Sequence, residues 1–349
     1  MKHVVIRSGL EALYFSGAHK LMQPLVGGVG AILTLHHVRP PHGDRFQPNQ
    51  LLEITPDFLE IVIERLERAA FDCVSLDEMH RRLTEQDFSR RFVAITLDDG
   101  YRDNRDFAFP IFKKHGIPFA IYVPTSFPDQ GGELWWDVLE HVIAQNNNIA
   151  LELDGKECRL DCASVAEKYR AYDYLYCWLR DRESDDDIRS TMRALSQRYG
   201  VDLAATCAAQ CMTWDELVGF ARDPLVTIGA HTANHTMLAK APADVARAEL
   251  KLGRDGLAAK LGQPPRHLAY PYGDPGSAGP REYQMAAELG FKTAVTTCPG
   301  VLFAEDRNRL MALPRISING EYQRRRYVDV LLSGAGTALW NGLRRLKAA

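Results

Sequence analysis

Residues 92–104 read F-V-A-I-T-L-D-D-G-Y-R-D-N, an apolar run that ends in two acids and a glycine. The first five residues are apolar or β-branched, which is typical of a strand buried on both faces. Asp98 and Asp99 follow directly, at the strand end where α/β folds bind their ligands. Because neighbouring residues of an extended chain point in different directions, one carboxylate can hold a metal while the other faces a reacting water. A plain turn at Asp98-Asp99-Gly100 is the simpler alternative.

A second apolar strand is predicted at residues 226–230, V-T-I-G-A, and the sequence H-T-A-N-H follows it. His231 and His235 stand four residues apart and can converge on one ion if the turn after the strand is helical. With one aspartate they would form a zinc-type hydrolytic site, or a facial triad for another divalent metal. Paired histidines alone are weak evidence, since they also occur on helix surfaces. Two strands ending in D-D-G and H-T-x-x-H are a more specific combination.

Three motifs in the chain resemble the first three motifs of the polysaccharide deacetylase family. They are T-L-D-D-G-Y-x-D-N at 96–104, G-A-H-T-x-x-H at 229–235 and L-A-Y-P-Y-G at 268–273. This family includes the chitooligosaccharide (nodulation protein B) deacetylases, and the resemblance covers roughly residues 31–318. It implies a distorted (β/α) barrel of seven to eight strands and metal-dependent removal of N- or O-acyl groups from a sugar.

The resemblance implies a metal held by Asp99, His231 and His235, with Asp98 as the general base. Three nitrogen and oxygen ligands without a thiolate favour Zn²⁺, with Co²⁺, Ni²⁺ or Mn²⁺ as substitutes. The family builds part of an oxyanion hole from the backbone N–H after the third-motif proline, which makes the N–H of Tyr272 the candidate here.

Direct contacts with a carbohydrate substrate are predicted for Tyr101, Pro271, His36 and Trp136. For Trp136 and its neighbour Trp135, a packing role is the alternative to stacking on a sugar ring. For His36, which follows the predicted first strand at residues 31–35, the alternative is a structural hydrogen bond.

The chain departs from the family pattern at two places. The third motif usually carries an Arg two residues before the proline, and Ala269 stands there instead. In the family that Arg steers the catalytic aspartate. Arg266 and Arg315 are the candidates to replace it here, without proof from the sequence, and Arg315 is our candidate catalytic residue. The family also supplies a late His as general acid, whereas no His follows His267 in this chain. The available imidazoles are those of His36, His37 and His267.

The 349 residues suffice for one barrel-sized domain with an insertion. Strands and helices alternate as in a parallel sheet, except over residues 126–225, which we interpret as a mostly helical insertion beside the site. Residues 1–30 are predicted to form a helical segment and residues 319–349 a basic amphipathic helix. A net charge of −3 argues against nucleic acid as a partner.

The N-terminal region and the cysteines bear on the cellular compartment in which the protein acts. Residues 21–38 contain no charged side chain, but Pro24 and several glycines favour a short helix, a turn and a strand over a membrane span. We expect no secretory signal. The seven cysteines include two C-x-x-x-C pairs, Cys158/Cys162 and Cys207/Cys211, which are predicted to be reduced thiols rather than metal sites. A reducing cytoplasmic compartment fits best.

The C-terminal segment carries an apolar stripe beside basic residues. The basic residues are Arg324, Arg325, Arg326, Arg344, Arg345 and Lys347, and the stripe consists of Val328, Leu331, Leu332, Ala335, Leu339, Leu343 and Leu346. Such a helix could lie on an anionic membrane surface. The alternative is a helix docked on the barrel with a solvated basic edge.

The sequence therefore predicts a cytoplasmic, metal-dependent deacylase that acts on an N-acylated sugar or polysaccharide precursor. Two alternatives from other classes remain open. One is a catalytically silent carbohydrate-binding relative, because the usual Arg and late His are missing. The other is a membrane-peripheral protein of polysaccharide assembly, because the tail is basic. The oligomeric state does not follow from the sequence.

Overall fold

The computed structural model describes residues 2–182 and 184–348, with side chains from residue 4 to residue 342. Seven parallel strands close into a barrel in the order β1-β12-β11-β10-β9-β6-β5, and β5 returns to β1. The predicted (β/α) barrel is confirmed, with β4 as one additional strand on β5. The strands are β1 Gly30–Leu35, β2 His37–Val38, β3 Glu53–Ile54, β4 Asp72–Cys73, β5 Phe92–Leu97, β6 Phe119–Val123, β7 Asn148–Leu153, β8 Lys156–Asp161, β9 Val226–Ala230, β10 His267–Ala269, β11 Thr293–Pro299 and β12 Leu313–Ser317.

Helices cover the outside of the barrel and both ends of the chain. A π-helical segment, Asn104–Ala108, leads directly into α5. The α-helices are α1 Lys2–Phe15, α2 Ala18–Val26, α3 Pro56–Arg68, α4 Leu76–Glu85, α5 Phe109–His115, α6 Trp135–Gln145, α7 Val165–Arg180, α8 Asp185–Tyr199, α9 Leu203–Gln210, α10 Trp214–Phe220, α11 Ala243–Leu261, α12 Pro280–Glu288, α13 Arg325–Leu332 and α14 Ala335–Ala348.

Strand alternation decides which side chains reach the barrel interior. In β5, Val93 and Ile95 pack outward against the helices, whereas Ala94 belongs to the interior cluster. Because side chains alternate along a strand, Asp98 lies on the same inward side as Ala94. Leu313 of β12 is also interior, so Arg315, two residues later, points inward as well. The alternation thus directs one acid and one guanidinium into the same space.

The registers of the parallel strands bring the polar strand ends together. Leu35 of β1 pairs with Leu97 of β5, so His36 and Asp98 leave their strands side by side. Ala230 of β9 pairs with strand β10 at Leu268, one residue before Ala269. The carboxyl ends of the strands therefore form one polar surface at one pole of the barrel.

The segment between β6 and β9 has a hydrophobic cluster of its own, formed largely by α6, α7 and α8. Helices α6 to α10 all lie in this segment, which was predicted to be mostly helical. An antiparallel hairpin of β7 and β8 is an element that sequence reasoning missed. Its turn residues Asp154 and Gly155 both have positive φ values, 52° and 74°. Tyr101 and Met237 belong to the same cluster, so this segment packs directly beside the polar strand ends.

The N-terminal helices α1 and α2 pack with the C-terminal helices α13 and α14. The expected break in the apolar run at 21–38 is confirmed, since α2 ends at Val26 and β1 begins at Gly30. Within residues 2–182 and 184–348, no helix combines the length and apolarity needed to cross a bilayer.

The basic tail divides into two parts. Arg324 and Arg326 pair with Glu11 of α1, and Arg325 pairs with Glu64 of α3. The first apolar positions of the predicted stripe, Val328, Leu332 and Ala335, are buried against the rest of the molecule. The predicted contributions of Leu343, Arg344, Arg345, Leu346 and Lys347 lie outside the described side chains.

Candidate metal centre and active site

A buried ion pair lies at the end of β5. Arg315 donates from Nη1 to Asp98 Oδ1 at 2.8 Å and from Nη2 to Asp98 Oδ2 at 2.7 Å. The guanidinium also donates from Nε to the carbonyl oxygen of Thr296 at 2.9 Å and from Nη1 to Thr96 Oγ1 at 3.2 Å. Burial by itself would raise the pKa of Asp98, but the charge and hydrogen bonds of Arg315 hold it below the ordinary value. Asp98 is therefore an oriented, ionised carboxylate.

Arg266, the other candidate for this task, lies elsewhere. Its guanidinium pairs with Asp77 at 3.0 Å, at the amino end of β10 and the opposite pole of the barrel. Of the two arginines that the sequence left open, the structure brings Arg315 to the predicted base.

Asp99, His231 and His235 form a second buried cluster beside this pair. The Nε2 atoms of His231 and His235 lie 3.5 and 3.3 Å from Asp99 Oδ1. The ligand atoms of the three residues all lie within 4.8 Å of one another. Asp99 Oδ1 is buried and has no hydrogen-bond partner, which is unusual for a carboxylate oxygen.

The protonation of the two imidazoles suits metal binding. His231 Nδ1 lies 2.7 Å from the carbonyl oxygen of Ala269, so this nitrogen carries the proton and donates it. The Nε2 lone pair of His231 is then free to face Asp99. Burial lowers the pKa of His235 to about 3, which leaves it neutral near pH 7.

The sequence predicted that His231 and His235 would converge if the turn after β9 were helical. They converge without a helical turn. Thr232 and His235 instead have positive φ values of 64° and 57°, and so does Asp99 at 74°. These left-handed conformations are uncommon outside glycine and persist when the surroundings determine them. The i, i+4 spacing therefore works here through an irregular loop that its neighbours hold in shape.

Two side chains whose role sequence reasoning missed hold this loop at Asn234. Glu249 of α11 accepts from the Asn234 N–H at 2.8 Å and from Asn234 Nδ2 at 2.6 Å. Arg189 of α8 donates to the Asn234 carbonyl oxygen at 2.7 Å. Asp185, which pairs with Arg189 at 2.6 Å, accepts from the Met237 N–H at 3.2 Å. An isolated Glu or Arg in a helix gives no signal of such a role.

The peptide before Tyr272 fits the predicted oxyanion donor. Tyr272 has a positive φ of 60°, and its N–H donates to no acceptor within the described part of the chain. Its hydroxyl accepts from Trp135 Nε1 at 2.7 Å, and the guanidinium of Arg180 lies 4.4 Å from the ring centroid. Contacts from α6 and α7 thus hold the ring while the N–H stays available.

The three candidate imidazoles have different surroundings. His37 Nδ1 lies 2.6 Å from Asp103 Oδ2, and His267 Nδ1 lies 2.8 Å from Thr293 Oγ1 near the amino ends of β10 and β11. His36 lies nearest the cluster, with its Nε2 4.0 Å from Asp98 Oδ2 and 24% of its side chain exposed. Burial lowers the pKa of His36, which favours the neutral ring.

Most of the residues predicted to contact the sugar are buried in the structure. Tyr101 has no exposed surface and stacks on His37 at a centroid distance of 3.6 Å, so its direct contact with substrate stays a prediction. Trp136 is 5% exposed and packs 5.1 Å from the ring of His235, which corresponds to the packing alternative. Pro271 is buried in the third-motif turn. His36 is the predicted contact residue that keeps an exposed edge beside Asp98.

Comparison with known protein families agrees with this geometry. The protein-family model described as "Polysaccharide deacetylase" matches residues 171–294, which include both histidines and the third motif. The match begins after the aspartate motif at 96–104. A search of curated proteins finds no significant match.

Solved structures of deacetylases share the fold. The Streptococcus pyogenes deacetylase PplD in complex with acetate aligns with a TM-score of 0.56 and 20% identity over 83% of this chain and 92% of its own. For IcaB from Ammonifex degensii the values are 0.52 and 16%, over 88% and 98%. For a de-N-acetylase from Aggregatibacter actinomycetemcomitans they are 0.50 and 14%, over 84% and 96%. These structures share the fold of this chain, and the family-model match over residues 171–294 confirms the resemblance to polysaccharide deacetylases.

Proposed function

We propose that this chain, a relative of the polysaccharide deacetylases, is a metal-dependent hydrolase that removes an N-acyl group from a sugar or polysaccharide precursor. The observation that carries the proposal is the convergence of Asp99, His231 and His235 beside the Asp98–Arg315 pair. Acetyl is the acyl group we favour, because the structurally similar S. pyogenes deacetylase was solved with acetate.

The residues present fit a divalent metal. The site offers one anionic oxygen that lacks a hydrogen bond and two imidazole nitrogens with available lone pairs. This donor set without thiolate suits Zn²⁺, and Co²⁺, Ni²⁺ or Mn²⁺ could replace it. When bound, such a metal supplies Lewis acidity for the amide carbonyl and lowers the pKa of water.

Asp98 acts on the attacking water in the proposed reaction. Its carboxylate accepts a proton as the water oxygen bonds to the acyl carbon, and Arg315 keeps that carboxylate ionised and oriented. When the carbon–nitrogen bond then breaks, the proton passes to the leaving amine, so the products are a carboxylic acid and a free amino sugar.

Tyr272 and His36 complete the proposed machinery. The Tyr272 N–H donates to the oxygen that becomes negative in the tetrahedral state, and one such fixed donor contributes ~3 kcal/mol to lowering a barrier. His36, neutral and partly exposed, is placed to hydrogen-bond the sugar next to the reacting amide. We also propose that the protein acts in the cytoplasm, where its seven free thiols would stay reduced.

Metal analysis combined with a turnover assay tests the proposal. The metal content of purified protein should be near one equivalent, and turnover of p-nitrophenyl acetate and N-acetylated chito-oligomers should disappear on chelation and return with Zn²⁺ or Co²⁺. Metal without turnover would favour a silent carbohydrate-binding protein, and absence of metal would favour a role in polysaccharide assembly. Unchanged turnover in metal-free protein would disprove the mechanism.

A further inference from the structure

We propose that the face formed by α1, α2 and α14, here called the terminal face, binds an anionic lipid bilayer, with apolar side chains of α1 and α2 entering the interface. This inference does not depend on the proposed hydrolase activity. It also revises the tail prediction, because the apolar contribution comes from the N-terminal helices.

The exposure of apolar side chains is concentrated on α1 and α2. The five most exposed large apolar side chains of the described chain are Leu25 at 82%, Leu21 at 81%, Phe15 at 75%, Val5 at 67% and Val4 at 66%. Soluble proteins rarely gather such residues in one region without a partner. Elsewhere in the described chain the most exposed large apolar side chain is Leu252, at 59%. The concentration on α1 and α2 therefore indicates a surface that is covered in use.

Helices α1, α2 and α14 all contact one another, which brings these residues to one region of the surface. Leu21 and Leu25 stand one turn apart on α2, so they share a side of that helix. A Cβ added at Gly9 of α1 would lie 3.9 Å from Leu339 Cδ2, which places α14 directly against α1. Val5 precedes Gly9 by one turn and therefore lies on the same side, next to the 41% exposed Leu339.

The charge distribution identifies the partner as an anionic surface. Residues 1–26 and 335–349, which contain the helices of the terminal face, hold six Lys and Arg against one acid, whereas the remaining chain holds 36 against 44. The basic excess thus belongs to the segments that carry the exposed apolar residues, including the exposed Lys20 beside Leu21. Apolar side chains flanked by cations are the features of helices that lie in a membrane interface.

The terminal face lies at the amino pole of the barrel. Helix α2 leads directly into the amino end of β1, and Arg91, which precedes β5, donates to the carbonyl oxygen of Leu332 at 3.0 Å. Asp98 and Asp99 lie at the opposite pole, where the strands end. A protein bound through the terminal face would therefore direct its active site away from the bilayer, toward a carbohydrate in the aqueous phase.

Vesicle flotation of the full-length protein tests the inference. Wild type should bind vesicles with about one third phosphatidylserine, should not bind pure phosphatidylcholine vesicles, and should bind less when NaCl rises from about 50 to about 500 mM. The double variant Leu21→Ser/Leu25→Ser should lower partitioning at least about tenfold. Lys20→Glu should weaken binding to anionic vesicles. The control Leu252→Ser removes a 59% exposed leucine from α11 and should bind as wild type does.

Three outcomes would overturn the inference: equal binding to neutral and anionic vesicles, unchanged binding by the double variant, or no binding at all. A dimer seen by light scattering that the double variant dissociates, without vesicle binding, would assign the face to a second copy of the chain. Turnover of a soluble substrate should be the same in wild type and variants, which keeps this test separate from that of the hydrolase activity.

Discussion

Arg315 forms a bidentate pair with Asp98, through two hydrogen bonds of 2.8 and 2.7 Å inside the barrel, where both side chains are almost fully buried. The arginine comes from β12, near the end of the chain, while Ala269 occupies the position at which related proteins usually carry this charge. A guanidinium from another strand therefore meets the same physical need, which is to keep a buried carboxylate ionised and fixed in direction.

Arg315→Lys should test that need. A lysine keeps the positive charge but cannot form the bidentate hydrogen bonds to Asp98. The value of kcat/KM should therefore fall about 10–100-fold, as for other residues that orient a catalytic group. Because Arg315 lowers the pKa of Asp98 against the effect of burial, weakening the pair should raise that pKa. The acid limb of the kcat/KM profile should then move to higher pH, which a purely structural role would not cause.

Arg315→Met removes the positive charge altogether. We expect it to destabilise the protein by about 3–5 kcal/mol, because the buried charge of Asp98 is left without its partner. Circular dichroism and a melting curve would show whether this variant folds. A pH–rate profile of Arg315→Lys identical to that of wild type would contradict the proposed role.

The two adjacent aspartates should respond differently to the same substitution. Asp98→Asn removes the proton acceptor, so turnover should fall by roughly 10²–10⁴ while metal content stays near one equivalent. Asp99→Asn removes an anionic ligand, so metal affinity should fall and activity should partly return at high Zn²⁺ or Co²⁺. Metal content by mass spectrometry and turnover at several metal concentrations give both answers. If both variants lose metal, or both keep it, the division of roles is wrong.

The strand ends were predictable because local patterns determine them. Strand β9 lies where the apolar run at 226–230 predicted it, and the D-D-G and H-T-x-x-H ends converge because parallel strands share one carboxyl edge. Alternation along β5 and β12 was also visible in the sequence, and it is what aims Asp98 and Arg315 at each other. Long-range pairing of the strands was needed to make the choice between Arg266 and Arg315.

Other features depend on contacts that no local pattern reveals. The positive φ values at Thr232 and His235 are set by neighbours such as Glu249 and Arg189, which are distant in sequence. The β7–β8 hairpin did have a local signal, Asp154-Gly155 between alternating residues, and the helical interpretation of that region overlooked it. The burial of Tyr101 could not be inferred either, because the helices that cover it come from the segment between β6 and β9.

Glu249→Gln should weaken metal binding without touching a proposed ligand. The carboxylate accepts two hydrogen bonds from Asn234, next to His235, and an amide can replace only one acceptor oxygen. We expect a loss of metal affinity of about 10–100-fold with a retained fold. Competition with a metal-binding dye measures the affinity. Glu288→Gln, on the surface of α12, is the matched control and should leave the affinity unchanged. Equal affinities for wild type and Glu249→Gln would remove the positioning role.

Glu140→Gln should stabilise the protein at alkaline pH, because Glu140 of α6 is an acid in an unfavourable place. Burial, and then the negative charge of Asp137, raise its pKa to about 7, although Asn49 Nδ2 donates to it at 2.8 Å. The folded state thus holds a proton that the unfolded state releases near pH 4.5, so the free energy of unfolding falls as the pH rises from 4.5 through 7. Glutamine is neutral and can still accept the bond from Asn49.

At pH 8 the Glu140→Gln variant should gain roughly 1–2 kcal/mol in its free energy of unfolding, allowing for residual solvent at the site, and at pH 4.5 it should gain nothing. Urea unfolding at both pH values measures the difference, and Glu305→Gln, at an exposed position, should show no gain at either. A gain of the same size at both pH values would mean that packing, rather than the buried charge, accounts for the effect.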